Sequence, residues 1–522
     1  MPNAADVHRL ARGTLAVGFA GASPDAAPLE ELRAFAPGAL TLFTRNVGSP
    51  DELRALVGAL RAGGVPPPLI AVDQEGGRVA RLRDEVAPLP SAMAVAASGD
   101  PALAAALGAL LGRDLAALGI SVDLAPVADL ALAPASTTIG TRSYGDDPQR
   151  VAAFVTAFAA GLERGGVAAT LKHAPGHGAT AVDSHLALPR LATDAATLRA
   201  RDMVPFAAAI RAGAASLVLT AHVVVEALDP ERPASLAPAV YRLLREELGF
   251  DGVCATDCLE MDAIARGVGT VDGAVAALAA GADLVLISHH LELAQAAATA
   301  IVQAVETGRL PLARLEEAHA RVLRLRERFA VLRPLAADAV DAAAPLAAAR
   351  AAVTAVRGEP RLREGSAVTV ISFEGALGDA AAASGTRAHV AEAPSLSAAL
   401  RRRRWKSEVM RVPLDPGADE LELLLEHVPR LGEREFVLVT RRADLHPAQR
   451  EAVARILALV PAALIVSARE PYDALLWPAA HRVVCAYGDD ALAFEGVADV
   501  LAGRAPAGGV LPVRIAQGAA VR

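Results

Sequence analysis

Lysine is almost missing from this chain. Of 51 basic residues all but Lys172 and Lys406 are arginine, a skew that, beside abundant alanine, glycine and proline, matches GC-rich coding. A lysine kept against that bias invites a reason. Aromatic residues are also scarce, at 3%, and the net charge is −8. An acidic chain with few stacking side chains has neither the field nor the platforms of a dedicated nucleic-acid binder. Three cysteines, Cys254, Cys258 and Cys485, make at most one disulfide and no CxxC pair. A secreted disulfide framework and a thiolate zinc site are therefore excluded. No apolar run reaches the ~18–20 residues that cross a bilayer, and Pro461 interrupts the best candidate, 456–468. The first residues lack the long apolar core of a signal peptide, so the expected location is the cytoplasm.

What the chain does have is 522 residues, 53% of them hydrophobic, enough for two or three domains. Eight short β-rich runs, 14–18, 39–43, 69–72, 121–125, 168–171, 216–219, 252–255 and 283–287, alternate with helical stretches such as 51–62, 101–118, 151–164 and 198–212. Eight βα units in this length predict a (β/α)8 TIM-type barrel over residues 1–332. Polar residues cluster directly after these runs: Arg45 and Asn46, Asp73 to Arg78, Lys172 and His173, His222, Asp257. Barrel enzymes build their sites at that end of the strands. An amphipathic helix at 312–329 leads into an Ala/Pro/Arg-rich connection at 333–365. A smaller α/β sandwich follows over 366–522, with strands expected at 367–372, 436–440, 463–467 and 483–486. It carries no GxGxxG or P-loop. The run Arg401–Arg404 with Trp405 and Lys406 reads as a solvated helix end rather than a polyanion contact.

The densest polar segment is Leu171-Lys-His-Ala-Pro-Gly-His-Gly, continuing to Asp183-Ser-His185. Two chemistries compete for it. His173, His177, His185, His222 and Asp257 are residue types that ligate zinc. Barrel metallohydrolases, however, usually carry His-x-His after the first strand, where this chain has Gly18-Phe-Ala-Gly21, and Lys172 would add positive charge to a metal cluster. Glycosyl transfer needs an anionic side chain beneath the anomeric carbon and a wet array of carboxylates and cations for sugar hydroxyls. Asp257, Asp73, Lys172 and His173 supply such an array if they converge. Glu75, followed by Gly-Gly-Arg, reads as support for a turn and an arginine, and Glu260 and Asp262 as the acidic start of a helix; the latter two are reserve acid/base candidates.

Asp73-Gln-Glu-Gly-Gly-Arg-Val, Ile139-Gly-Thr-Arg-Ser, Lys172-His-Ala-Pro-Gly-His-Gly, Asp183-Ser-His and Thr256-Asp257, in this order, resemble the family 3 glycoside hydrolases, and more narrowly their β-N-acetylglucosaminidase branch in peptidoglycan recycling. Gly503-Arg-Ala-Pro-Ala-Gly-Gly-Val-Leu-Pro-Val is similar to the closing motif of that family's second domain. The resemblance implies Asp257 as nucleophile of a retaining reaction and His185 as general acid/base assisted by Asp183. It also implies Asp73, Arg81, Arg142, Lys172 and His173 as sugar-binding residues, with no metal or cofactor. The implied activity is an exo-acting β-N-acetylglucosaminidase on muropeptide fragments or related glycosides. A phosphorylase using the same nucleophile is the nearer alternative, because a histidine repels phosphate less than a carboxylate does. Ala174 stands where the family commonly has an aromatic residue and Cys258 where it often has an acidic or small one. The aglycone, a role of the second domain at the site, and the oligomeric state stay open in the sequence.

Overall fold

The computed structural model describes residues 4–180, 188–375 and 394–515. Eight strands, β1 (Leu15–Val17), β2 (Ala39–Leu42), β3 (Leu69–Val72), β4 (Val122–Asp123), β5 (Ala168–Ala174), β6 (Leu217–Thr220), β7 (Val253–Cys258) and β8 (Leu284–Ile287), close into a barrel. All its ladders are parallel, and β1 meets both β2 and β8. Each strand coincides with one of the eight expected runs.

Side chains alternate across a strand, and the buried clusters show that period. Ala16, Leu69, Ala71, Leu217, Leu219, Val253, Ala255 and Leu284 share one core inside the barrel. Their neighbours Leu15, Val17, Ile70, Val72, Val218 and Val285 belong to the layer under the helices. The inner core is completed by Val322, Leu325 and Phe329, from the helix Leu312–Arg328 and its C-cap. Carrying the inward parity 69-71-73 past the end of β3 delivers Asp73 above this core, and Asp257 reaches the same mouth from the C-terminal end of β7. The β7 ladder shifts register between Ala255 and Cys258, and that of β5 between Lys172 and Ala174. Such irregularities re-aim side chains beside active sites.

The helices begin where the sequence supplies caps. Asp100 and Asp147 accept from Ala102 N and Arg150 N ahead of Pro101–Ala117 and Pro148–Gly165, each with proline in its first turn. The helix expected over 198–212 is instead a short turn, Ala195–Thr197, a π-helical turn, Leu198–Asp202, and a helix, Val204–Arg211. Pro205, which has no N–H to donate, accounts for the break.

The second sheet has six strands: β9 (Thr354–Arg357), β10 (Val368–Glu374), β11 (Ser407–Pro413), β12 (Glu435–Thr440), β13 (Leu464–Ser467) and β14 (Arg482–Cys485). Their order is β9-β14-β13-β12-β10-β11, antiparallel only between β9 and β14. Two of them were not expected. Thr354–Arg357 lies within the stretch read as a connection, 333–365, so that the second sheet starts inside it; this short edge strand is held by pairing with a strand distant in sequence. Ser407–Pro413 interleaves Ser, Glu and Arg with apolar residues, is mostly solvent-accessible, and lies at the other edge, where charged side chains are tolerated. Arg402 and Arg403 of the basic run pair with Glu495, and Arg403 also with Asp499 at 2.6 Å, so those charges are used within the domain. One face of the sheet, with Ile371, Phe373, Leu438 and Ile465, shares a core with Met93, Ala94, Ala97 and Ala131 of the barrel.

Candidate active site

At the C-terminal ends of the barrel strands lies a cavity of about 110 Å³ lined by Asp73, Glu75, Arg81, Arg142, Lys172, His173, His177 and Asp257, among others. The cavity therefore brings together Asp73, Arg81, Arg142, Lys172, His173 and Asp257 of the sequence-predicted residues, whereas His222, Glu260 and Asp262 do not line it. Asp183 and His185 lie outside the described residues.

The hairpin after β3 organises half of the wall. Gly76 and Gly77 turn at φ 93° and 55°, conformations favourable to glycine, and let residues 74–76 pair with 79–80. Gln74 Oε1 accepts from the backbone N–H groups of Arg81 and Leu82 at 2.8 and 3.0 Å, which sets Arg81 against the site. The Arg81 guanidinium reaches Asp73 at 3.7 Å.

Lys172 is the centre of the charge network. Its Nζ lies 2.7 Å from Asp73 Oδ1 and 2.6 Å from Glu75 Oε1, with the side chain 3% exposed. Arg142 grips the same Glu75 with two parallel bonds, Nε to Oε2 at 2.8 Å and Nη2 to Oε1 at 2.7 Å. Burial opposes ionisation of Glu75, but Arg142 and Lys172 outweigh it and hold the carboxyl well below the usual range. Asp73 is lowered likewise, burial being overcome by Lys172 and Arg81. Lys172 is raised, since Asp73 and Glu75 together exceed its own cost of burial. The network is thus fully ionised near neutrality. Glu75 supports an arginine, as its context suggested, and a lysine as well.

Sequence reasoning missed Asp129. This buried carboxylate, on the loop after β4, accepts from His173 Nδ1 at 2.6 Å and His173 N at 3.1 Å through Oδ2, and from His177 N at 2.6 Å through Oδ1. Burial would raise it, but His173 and His177 hold it low, so it stays a carboxylate. An ionised acceptor at Nδ1 assigns the proton there and turns Nε2 of His173 toward Arg142 Nη2, 3.5 Å away. The available signal was a lone acid in the apolar run Leu124-Ala-Pro-Val-Ala-Asp-Leu. Asp123 was missed too. Fully buried, with burial pushing it well above the usual carboxylate range, it accepts from Gln74 N at 3.0 Å.

Asp257 is partly exposed and its Oδ1 accepts from Cys258 N at 2.8 Å. The thiol of Cys258, pushed up to about 12 by burial, lies 3.0 Å from Ser288 Oγ and is neutral beside it. Glu260 is committed to the loop after β8, accepting from His289 N and His290 N at 2.6 and 3.1 Å. Asp262 opens a helix and pairs with Arg266 at 2.9 Å. His222, a candidate zinc ligand, is buried with Nδ1 2.8 Å from Ser235 Oγ and Nε2 2.9 Å from the Cys258 carbonyl oxygen. Among the described residues no three His, Cys, Asp or Glu side chains form a group that could hold a metal ion.

Asp257 lining one cavity with ammonium, guanidinium and carboxylate groups in a barrel mouth suits polar substrates and transfer through a cationic transition state. The sequence profile of the Glycosyl hydrolase family 3 N-terminal domain matches residues 16–325. A β-hexosaminidase of Methylococcus capsulatus is 40% identical over 274 residues, 52% of this chain and 80% of that protein. One of Xylella fastidiosa is 40% identical over 282 residues, 53% and 83% of the two chains. The solved structure of a glycoside hydrolase family 3 β-N-acetylglucosaminidase from a Paenibacillus species superposes with a TM-score of 0.87 at 32% identity, over 98% of this chain and 99% of that one. Barrel and second domain thus agree with sequence similarity, and the chain belongs to glycosyl hydrolase family 3.

Proposed function

We propose that this enzyme is a retaining, exo-acting β-N-acetylglucosaminidase that removes terminal N-acetylglucosamine from muropeptide fragments or related β-glycosides. The observation that carries the reading is the convergence of Asp257 with the Asp73–Lys172–Glu75–Arg142 network on one cavity at the barrel mouth. The names of the 40%-identical relatives support the sugar class.

In this reading Asp257 attacks the anomeric carbon while His185, assisted by Asp183, protonates the departing glycosidic oxygen. His185 then takes a proton from water as the oxygen of that water displaces Asp257, restoring the carboxylate and the configuration. Asp73 accepts from sugar hydroxyls; Lys172, Arg81 and Arg142 donate to the sugar, and His173, whose Nδ1 donates to Asp129, offers Nε2 as an acceptor. Three buried free thiols accord with a cytoplasmic setting.

The test is turnover of aryl N-acetyl-β-glucosaminide against the glucoside and xyloside, with the product anomer followed by NMR. Free β-N-acetylglucosamine released first, with Asp257→Asn nearly inactive, is expected. Near-normal turnover by Asp257→Asn refutes the nucleophile, and a sugar 1-phosphate formed in phosphate buffer would assign a phosphorylase instead.

A further inference from the structure

The loop between β4 and the helix Pro148–Gly165 has two sides. One carries Asp129, Thr138 and Arg142 to the site; the other is covered by the second domain. Arg442 Nη2 donates to the Pro134 carbonyl oxygen at 2.7 Å, and Asp146 N to that of Pro512 at 3.2 Å. Between these anchors Glu470, just beyond β13, presents Oε1 to the backbone N–H of Thr141 at 3.1 Å.

Glu470 is buried among cations here. It is 1% exposed, Arg442 and Arg469 stand 3.7 and 3.9 Å away, and together with Arg78 they outweigh burial and hold its carboxyl below the usual range, while Oε2 has no hydrogen-bond partner. The cations keep the group charged, and the close contact of Oε1 decides where that charge sits. That contact is the 3-10 turn Gly140–Arg142. Gly140 sits at φ 44°, and a Cβ there would fall 2.0 Å from Glu470 Oε1, so the glycine lets the carboxylate close on the turn. The turn is therefore gripped from both domains: Glu75 holds the Arg142 guanidinium, and Glu470 holds the backbone one residue before it.

We infer that Glu470 is a positioning residue through which the second domain sets Arg142 in the barrel site. The inference rests on the proposed sugar-binding role of Arg142. Two readouts test it in the full chain. Hydrogen–deuterium exchange of the segment 138–144, measured without substrate, should accelerate in Glu470→Ala; unchanged exchange overturns the contact. With the aryl N-acetyl-β-glucosaminide, Glu470→Ala should raise KM by about 10- to 100-fold and alter kcat much less, as misplacement of a binding group does. Glu470→Gln, which keeps an acceptor oxygen, should recover most of the loss. Added to Arg142→Ala, Glu470→Ala should cost little more; losses that multiply show that Glu470 acts by another route and overturn the inference. Should Glu470→Ala not fold, Glu470→Asp, which withdraws the carboxylate from the turn by one methylene, takes its place in both measurements. A wild type that turns over no N-acetylglucosaminide refutes the proposed function, and the exchange measurement still decides the Glu470 contact.

Discussion

Replacing Lys172 with methionine keeps most of the length of an unbranched side chain and removes its ammonium, both the charge and the donors. In the wild type Nζ lies between two carboxylates, 2.7 Å from Asp73 and 2.6 Å from Glu75. Without it Glu75 keeps Arg142, but Asp73 keeps only Arg81 at 3.7 Å. Removing one partner of a buried ion pair costs about 3–5 kcal/mol; because Asp73 retains a cation and some solvent, about 3 kcal/mol is expected here. The pH dependence is the sharper signature. Asp73 and Glu75 are held below their ordinary values, so the stability they contribute is present above the unfolded carboxylate range near pH ~4 and is lost as pH falls through the depressed folded values. Lys172 is raised, so its share is present below its unfolded value near ~10.4 and fades only as pH rises through the folded one. The difference between wild type and Lys172→Met should be constant from about pH 5 to about pH 10 and shrink below about pH 4. Urea unfolding at neutral and acid pH, followed by far-UV circular dichroism, measures it. The only tryptophans, Trp405 and Trp477, belong to the second domain, and their fluorescence monitors that domain separately. A loss under about 1 kcal/mol at neutral pH, or one that persists unchanged in acid, refutes the network as the cause.

Lys172→Arg preserves charge but forces a planar fork into a space bounded by two carboxylates, and should raise KM for the aryl N-acetyl-β-glucosaminide by about tenfold or more. Asp129→Asn removes the ionised acceptor that orients His173, and should lower kcat/KM by about 10- to 100-fold, the equivalent of one hydrogen bond to a charged group; steady-state kinetics beside a thermal melt separates this from unfolding. All three cysteines are buried, and burial raises every thiol, Cys254 and Cys258 to about 12. Native protein should release no colour with a thiol reagent at pH 8 and three equivalents after denaturation.

The barrel was legible because its signal is local and repeated: apolar runs of strand length alternate with helical stretches, and side-chain parity along 69-71-73 already directs Asp73 inward. Strands β9 and β11 were not legible. Both are edge strands: β9 pairs with a strand far away in sequence, and β11, though it pairs with the preceding strand, is largely exposed and lacks an apolar run that would declare it. Asp129 and Glu470 escaped for a related reason. A carboxylate in an apolar or loop context looks the same whether it faces water or a buried N–H group.

By itself, then, the order of residues determined the architecture of the first domain, the family resemblance, and the set of charged side chains at the strand ends. These depend on periodicity and on motifs a few residues long. The tertiary structure alone decided which charges pair with which: that Lys172 joins two carboxylates, that Asp129 turns His173, and that Glu470 of the second domain reaches the Arg142 turn. Hydrogen bonds and ion pairs depend on distances of a few ångströms between segments as far apart as Thr141 and Glu470. No local pattern encodes those distances; they follow from how two packed domains bury their apolar faces.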